Sequence, residues 1–363
     1  MSGPMFGVIM AGGCGARLWP QSRRHRPKHL LRLVGDKTML EITVERISGV
    51  IDPKNILVVT LAEQANAVSE LLPLIPPGNI IAEPVGRNTA PCIGLAAIVL
   101  RERCPDATMA VMPADHVVAD RDRFEQVIRL AARQLEARPE SLIAVGVAPK
   151  RPSMGFGYIE KARRCDDLEM EGPDVFEVSK FVEKPSLEDA REMLADGSFL
   201  WNAGMFFWRA ERVLQEIAIQ LPELGSALES LRPGLGKDGF DRRLAETYAA
   251  MKPISIDYGV MQKAEQVLVI ESDMGWDDVG SWESLASIWQ SDEAGCASNC
   301  EFISIGSNRC IAFSDKRLVA MVGVEDVVVV DSDDAILICK RDRTEEVRTV
   351  VEELKRRGLG HLA

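Results

Sequence analysis

The 363-residue sequence predicts an α/β protein, a mainly parallel sheet covered by helices and followed by a small β-rich C-terminal region. Three observations predict it. Short apolar runs alternate with helical stretches from the N-terminus to about Val147. The segments with chemical character fall just after those runs, where open parallel sheets bind ligands. Beyond Val147 a period of two takes over, and from about Cys296 only short strands and one last helix remain.

The first run, Phe6-Gly7-Val8-Ile9-Met10, has the character of a buried strand. It breaks into Gly12-Gly13-Cys14-Gly15, which can turn sharply and bring backbone N–H groups close to a phosphate. Arg17, Arg23, Arg24, Arg26, Lys28 and Arg32 follow, six cations within sixteen residues of a chain whose net charge is −12. Cations gathered beside a glycine loop in an acidic protein point to a small polyanion, most simply a polyphosphate. A solvated basic turn is the plain alternative. The P-loop pattern is excluded because no Gly-Lys-Ser/Thr follows. Leu18, where a dinucleotide fingerprint needs a small residue, and Trp19-Pro20, inside the helix that should follow, speak against that fingerprint.

Thr38-Met39-Leu40-Glu41 reads as a capping box that starts a helix through about Val50. Strands over 56–59, 80–82, 109–112 and 142–147 then alternate with helices over 63–72, 93–103 and 124–136. The strand at 80–82 leads into Glu83-Pro84-Val85-Gly86-Arg87-Asn88-Thr89-Ala90-Pro91. Asn88 or Thr89 can cap the next helix. Glu83 and Arg87 can face a nucleotide: a carboxylate accepts two hydrogen bonds from guanine N1–H and its 2-amino group, a pattern that uracil and thymine lack. Met112-Pro113-Ala114-Asp115-His116 sets an Asp directly after a buried strand, where a bound Mg²⁺, a helix cap or a hydrogen bond would compensate it.

Residues 153–160 and 175–182 alternate like antiparallel strands around a polar connection over 163–172. Phe181-Val182-Glu183-Lys184-Pro185 closes the second with a carboxylate beside an ammonium, which read alone is a surface ion pair. Trp201 to Trp208 follow one helix later as an aromatic core strand. A strand over 267–270 ends in Gly275-Trp276-Asp277-Asp278-Val279-Gly280-Ser281-Trp282. Successive side chains of an extended segment point to opposite faces, so only one of Asp277 and Asp278 is expected to reach a given ion. Strands over 327–330 and 336–339 flank Asp331-Ser332-Asp333-Asp334, and a final helix is expected over 343–358.

Hydrophobic content of 46% and charged content of 27% are ordinary for a soluble globular protein with an ample core. The acidic balance argues against nucleic acid. No apolar run reaches the roughly 18 residues of a membrane span, and Met1 to Met5 carry no signal-peptide pattern, so a cytoplasmic protein without membrane contact is expected. The eight cysteines (14, 92, 104, 165, 296, 300, 310, 339) are scattered. Cys296-x-x-x-Cys300 with Cys310 lacks a fourth zinc ligand, which leaves reduced structural thiols as the reading.

Gly13-x-Gly15-x-Arg17-Leu18-x-Pro20-x-Ser22 followed by Pro27-Lys28 resembles the signature of nucleotidyltransferases that make sugar nucleotides. Trp19 and Ser22-Arg23 resemble their mannose-1-phosphate guanylyltransferase branch, and the resemblance extends over nearly the whole chain. It implies a Rossmann-like nucleotidyltransferase sheet over residues 1–290. It also implies a short β-helix-like domain over 296–363 used in subunit contact, and hence a homodimer. The implied reaction transfers GMP from GTP to α-D-mannose 1-phosphate, giving GDP-mannose and pyrophosphate, with Mg²⁺ as cofactor. Arg17 and Lys28 would stabilise the departing pyrophosphate and the reacting phosphates. Gly12, Gly13, Gly15, Glu83, Arg87, Asn88 and Thr89 would bind the nucleotide, and Asp115 and Asp278 the metal. Gly157 and Asp257 would line the sugar-phosphate pocket, with Glu183 and Asn202 on sugar hydroxyls and Lys184 on the phosphate.

The sequence departs from that pattern at His29 (commonly Gln), Gly259 (more often Ala), Gln262 (more often Glu) and Asp277 (usually small and polar), none an implied catalytic group. Related bifunctional enzymes carry an isomerase domain beyond this point; with the sequence at Ala363 none is expected here. Three rivals remain: another nucleotide or sugar phosphate, such as a manno-heptose phosphate or glucose 1-phosphate; a non-catalytic sugar-nucleotide sensor; and a nicotinamide-dependent oxidoreductase. Arg17, Lys28, Asp115 and Asp278 together weigh against the sensor, and Leu18 and Pro20 against the oxidoreductase.

Overall fold

The computed structural model describes residues 3–13, 15–165 and 172–363. They fall into two compact units, one of Met1–Gly12, Val44–Ala114 and Val118–Trp276, the other of Gly13–Thr43, Asp115–Val117 and Asp277–Ala363. The glycine-and-cation loop, early in the chain, is thus grouped with the C-terminal strands.

The first unit is built on a nine-stranded sheet. Its strands are β1 (Met5–Ala11), β2 (Ile56–Leu61), β3 (Ile80–Glu83), β4 (Thr108–Pro113) and β5 (Leu142–Val147), then β6 (Gly157–Arg164), β7 (Asp174–Glu183), β8 (Phe199–Arg209) and β9 (Val267–Glu271). The spatial order is β3-β2-β1-β4-β8-β5-β9-β7-β6. The pairs β3–β2, β2–β1, β1–β4 and β5–β9 are parallel. The strands read from period two, β6 and β7, pair antiparallel, and β8 runs antiparallel between β4 and β5. Continuous apolar runs such as Ile56 to Val59 and Leu142 to Val147 are buried along their length, as strands covered on both faces must be.

Helix α1 (Met39–Ser48) begins at the expected capping box, with Glu41 Oε2 accepting from Thr38 N–H at 2.8 Å and Thr38 Oγ1 from Glu41 N–H at 3.2 Å. Helices α2 (Ala65–Leu71), α3 (Thr89–Arg103) and α4 (Arg121–Ala137) follow. Phe124, Val127, Ile128, Ala131 and Leu135 form the buried stripe of α4, whereas α3 is apolar nearly all round and sits within the core. It begins four residues before the expected 93–103, because Asn88 (φ 69°) caps it by accepting from Thr89 N–H at 2.8 Å. Helix α5 (Leu187–Asp196) precedes β8, and α6 (Ala210–Gln220), α7 (Pro222–Leu231) and α8 (Phe240–Ala250) join β8 to β9. β6 starts at Gly157 rather than Ser153. The preceding residues form a side-chain-held turn, with Ser153 N–H donating to Tyr158 Oη and Gly155 N–H to Ser153 Oγ. Of the expected connection over 163–172, residues 166–171 lie outside the described residues.

The second unit contains α9 (Trp282–Ala286), then β10 (Ala297–Ser298), β11 (Phe302–Ile305), β12 (Ile311–Ser314), β13 (Val319–Val322), β14 (Val327–Asp331) and β15 (Ile336–Lys340), and last α10 (Val347–Arg356). β10, β12 and β14 are parallel neighbours, β11 and β13 form a second parallel pair, and β15 closes antiparallel on β14. The last helix starts at Val347, after a 3-10 turn over Arg341–Glu346, rather than at 343. Leu18, Trp19, Leu31 and Leu33 share one core with Trp282, Phe313, Val328, Val330 and Val351. Polar side-chain atoms fix the loop that carries them. Trp19 Nε1 donates to Leu362 O at 2.7 Å, Trp282 Nε1 to Trp19 O at 3.1 Å, Gln21 Nε2 to Asp331 O at 3.0 Å and Trp289 Nε1 to Leu33 O at 2.8 Å. A segment with little regular structure thereby satisfies its backbone through side chains. Among the described residues, no helix is long and apolar enough to cross a membrane.

Candidate active site

In the second unit the chain leaves Gly13, which has open space above it, and turns at Gly15 (φ 68°) into the 3-10 turn Ala16–Leu18 that carries Arg17. Arg17 Nη1 pairs with Glu345 Oε2 at 2.6 Å. A second short turn, Lys28–Leu30, carries Lys28, whose side chain is buried. Its ammonium lies 2.9 Å from Asp115 Oδ2 and donates to the backbone carbonyl of Asp278. Burial pushes the Asp115 carboxyl up, but the Lys28 ammonium, helped by His116 and His29, outweighs it and holds the group at about 2.

Asp277 Oδ1 accepts from Val279 N–H at 2.7 Å and Asp278 Oδ1 from Gly280 N–H at 3.2 Å. Between them Val279, β-branched and fully buried, is held at φ 48°, a strained conformation beside candidate chemistry. A methyl group on Gly280 would fall 2.7 Å from Asp278 Oδ2 and 3.1 Å from Arg17 Nη2, so the glycine leaves room for both side chains. Arg17, Lys28, Asp115 and Asp278 are thus brought together, along with Glu345, which no local sequence signal marks.

In the first unit Glu83 ends β3 and is buried. Its Oε1 has no hydrogen-bond partner, and its Oε2 is 3.9 Å from where a Cβ on Gly12 would stand. Burial pushes its carboxyl up to about 7, against the nearby Tyr248 hydroxyl and Cys92 thiol. A buried, unpaired acceptor beside a glycine is suited to a donor from a ligand. Arg87, Asn88 and Thr89 of the same stretch have hydrogen-bond partners within the protein. Arg87 donates from Nε to Tyr248 O and from Nη2 to Ala249 O, both at 2.8 Å, and so covers the last carbonyls of α8. Asn88 is the α3 cap, and Thr89 Oγ1 accepts from Ile256 N–H at 2.8 Å.

A second cluster of the first unit joins the expected sugar-phosphate residues. Gly157 pairs with Glu183 across β6 and β7, and a methyl group on it would fall 2.5 Å from Glu183 Oε2. Lys184, at φ 49°, sets its ammonium 3.4 Å from Glu183 Oε1 and is largely exposed. Asn202 on β8 donates to Asp257 Oδ1 at 2.8 Å and accepts from Gly204 N–H at 3.0 Å. Asp257 opens a single π-helical turn, Asp257–Met261, a geometry frequent at functional sites. Burial, then the Asp257 charge, push Glu183 up to about 7 against Lys184; burial likewise raises Asp257 against hydrogen bonds that include Asn202. Tyr258, beside Asp257, donates to Glu183 O at 3.3 Å and is partly exposed.

The nucleotidyl transferase family matches residues 6–295, and a mannoseP isomerase/GMP-like beta-helix domain matches residues 300–354. The mannose-1-phosphate guanylyltransferase of Escherichia coli K12 is 38% identical over 98% of the chain and 74% of its own length. The xanthan biosynthesis protein XanB of Xanthomonas campestris is 38% identical over 97% of the chain and 73% of its own length. A crystal structure from Thermus thermophilus, described as mannose-1-phosphate geranyltransferase, superposes with a TM-score of 0.86 at 34% identity, covering 97% of this chain and 99% of that one.

The Glu83 carboxyl sets a pH dependence. With a folded value of about 7 against an ordinary 4.5, its contribution to stability is complete below pH 4.5 and is lost as pH rises through 7. The loss amounts to about 3 kcal/mol. Glu83→Gln should therefore lose less stability than the wild type between pH 5 and pH 8. Melting temperatures across that range check it; parallel curves for the two proteins would contradict it.

Proposed function

The chain belongs to the nucleotidyl transferase family, and on that premise we infer that it transfers GMP from GTP to mannose 1-phosphate, giving GDP-mannose and pyrophosphate. Near-full-length identity to curated mannose-1-phosphate guanylyltransferases supports the reaction. The observation that carries its chemistry is the cluster of Lys28, Asp115 and Asp278 beside Arg17.

A phosphate oxygen of mannose 1-phosphate attacks the α-phosphorus of GTP. The new P–O bond forms as the bond to the β-phosphate breaks, and pyrophosphate leaves with the electron pair. Catalysis of such a transfer rests on positioning and charge stabilisation. Arg17 and Lys28 supply positive charge to the pyrophosphate and the reacting phosphates, and the open space at Gly13 admits them. Asp115 and Asp278 would hold Mg²⁺, which when bound neutralises charge on the phosphate oxygens. The donor set fits that ion. Mg²⁺ takes one or two carboxylates and completes its octahedron with water and phosphate oxygens.

Glu83, with one unpaired oxygen, is assigned to guanine N1–H and the 2-amino group. Arg87, Asn88 and Thr89 are assigned to the nucleotide at the same strand end, which their hydrogen bonds to the backbone keep in shape. Glu183, Asp257 and Asn202 offer acceptors and a donor to sugar hydroxyls, and exposed Lys184 anchors the sugar phosphate.

In a grid of nucleoside triphosphates and sugar 1-phosphates, GTP with mannose 1-phosphate should give the fastest Mg²⁺-dependent pyrophosphate release. Preference for UTP or dTTP would refute the guanine assignment and leave the reaction type standing.

The doublet at the metal separates cleanly. Asp278→Asn should cripple turnover, because this carboxylate lies beside Arg17 in the cluster. Asp277→Ser should be close to neutral, because a serine hydroxyl can still accept from Val279 N–H. Equal losses in the two variants would require the metal assignment to be redrawn.

A homodimer through the C-terminal strands accounts for their uncovered apolar side chains: Ile303, Ile305 and Val322 on the β11–β13 sheet, and Ile336 and Ile338 on β15. Val322→Lys with Ile338→Lys should turn the dimer into a monomer by light scattering while GTP binding survives. An unchanged particle mass would exclude this face.

A further inference from the structure

Lys28 stands where a cation on Asp115 would stand. Its stem lies against Gly15, where a methyl group would meet Lys28 Cβ at 2.6 Å, and this directs the chain inward. Its ammonium, 2.9 Å from Asp115 Oδ2, donates also to the Asp278 carbonyl. A divalent ion on the Asp115 carboxylate would sit beside a like charge in a partly buried setting, where repulsion is less screened than in water. The lysine stem, by contrast, is flexible enough to follow a competing anion.

We propose that without nucleotide Lys28 is the counter-ion of Asp115 and keeps the divalent metal out, and that the phosphates of the nucleotide draw the ammonium away so that metal loads only together with nucleotide. This rests on the assignment of Asp115 and Asp278 to the metal. It differs from a purely structural ion pair, which would stay closed throughout and leave metal affinity independent of the lysine.

The test is Mn²⁺ binding to the nucleotide-free protein, followed by electron paramagnetic resonance of the free ion. Lys28→Met should bind Mn²⁺ about tenfold or more tightly than wild type, since one repelling charge is gone. Lys28→Arg, which keeps the charge, should not. If Lys28→Met melts at a lower temperature, Mn²⁺ should restore it, because the ion replaces the ammonium. An unchanged Mn²⁺ affinity in Lys28→Met, an equal gain in Lys28→Arg, or a Lys28→Met protein that stays unfolded in millimolar Mn²⁺ would each overturn the proposal. A second arm uses water-proton relaxation of Mn²⁺ bound with the α,β-methylene analogue of GTP. Asp115→Asn should abolish the protein-bound signal. Retention of that signal refutes the metal assignment itself; its loss without a gain in Lys28→Met refutes only the exchange.

Discussion

One buried ammonium ties together three stretches of chain that lie far apart in sequence. Lys28 comes from the loop over residues 13–43, Asp115 from the three-residue stretch 115–117, and the Asp278 carbonyl from 277–363; these are the segments that make up the second unit. Leaving the buried ammonium without its carboxylate would be costly, so the pair holds the three segments in one mutual arrangement. The tryptophans reinforce it from the apolar side. Trp282 is fully buried and still donates to the Trp19 carbonyl, while Trp19 donates to Leu362. An irregular loop thus acquires the rigidity that phosphate chemistry asks of it.

Much of the fold was legible because its strands are of the kind that composition alone reveals. A run such as Leu142 to Val147 must be covered on both faces, and it is. The stripe on α4 and the Thr38–Glu41 box are local patterns, and both formed as read. Gly157 beside Glu183, and Asn202 beside Asp257, were legible only through resemblance, since nothing in their spacing tells that strand pairing brings them together.

What the sequence hid are partners distant along the chain. Arg87 looked like a nucleotide ligand because it follows a strand end. Yet α8 ends at Met251 without a glycine cap, and its last carbonyls, about 160 residues further on, take two of the guanidinium nitrogens. Asn88 could be read as cap or ligand, and the cap is formed. Glu345 lies in a run of charged residues that reads as a solvated helix start, but the 3-10 turn over Arg341–Glu346 directs it to Arg17.

The carboxyls of the candidate site divide by what surrounds them. Asp115 faces an ammonium and is held at about 2, so it stays ionised and suits a cation. Glu83 and Glu183 lie in apolar or like-charged surroundings and are raised to about 7, which leaves them poised between an acid that donates and a carboxylate that accepts. Groups so poised suit uncharged donors, such as a base edge or a sugar hydroxyl, whose hydrogen bonds draw them toward the ionised form on binding. A fully ionised carboxylate in either place would attract solvent cations as readily as ligand. Burial therefore does for Glu83 and Glu183 what Lys28 does for Asp115: it sets the charge state before any substrate arrives.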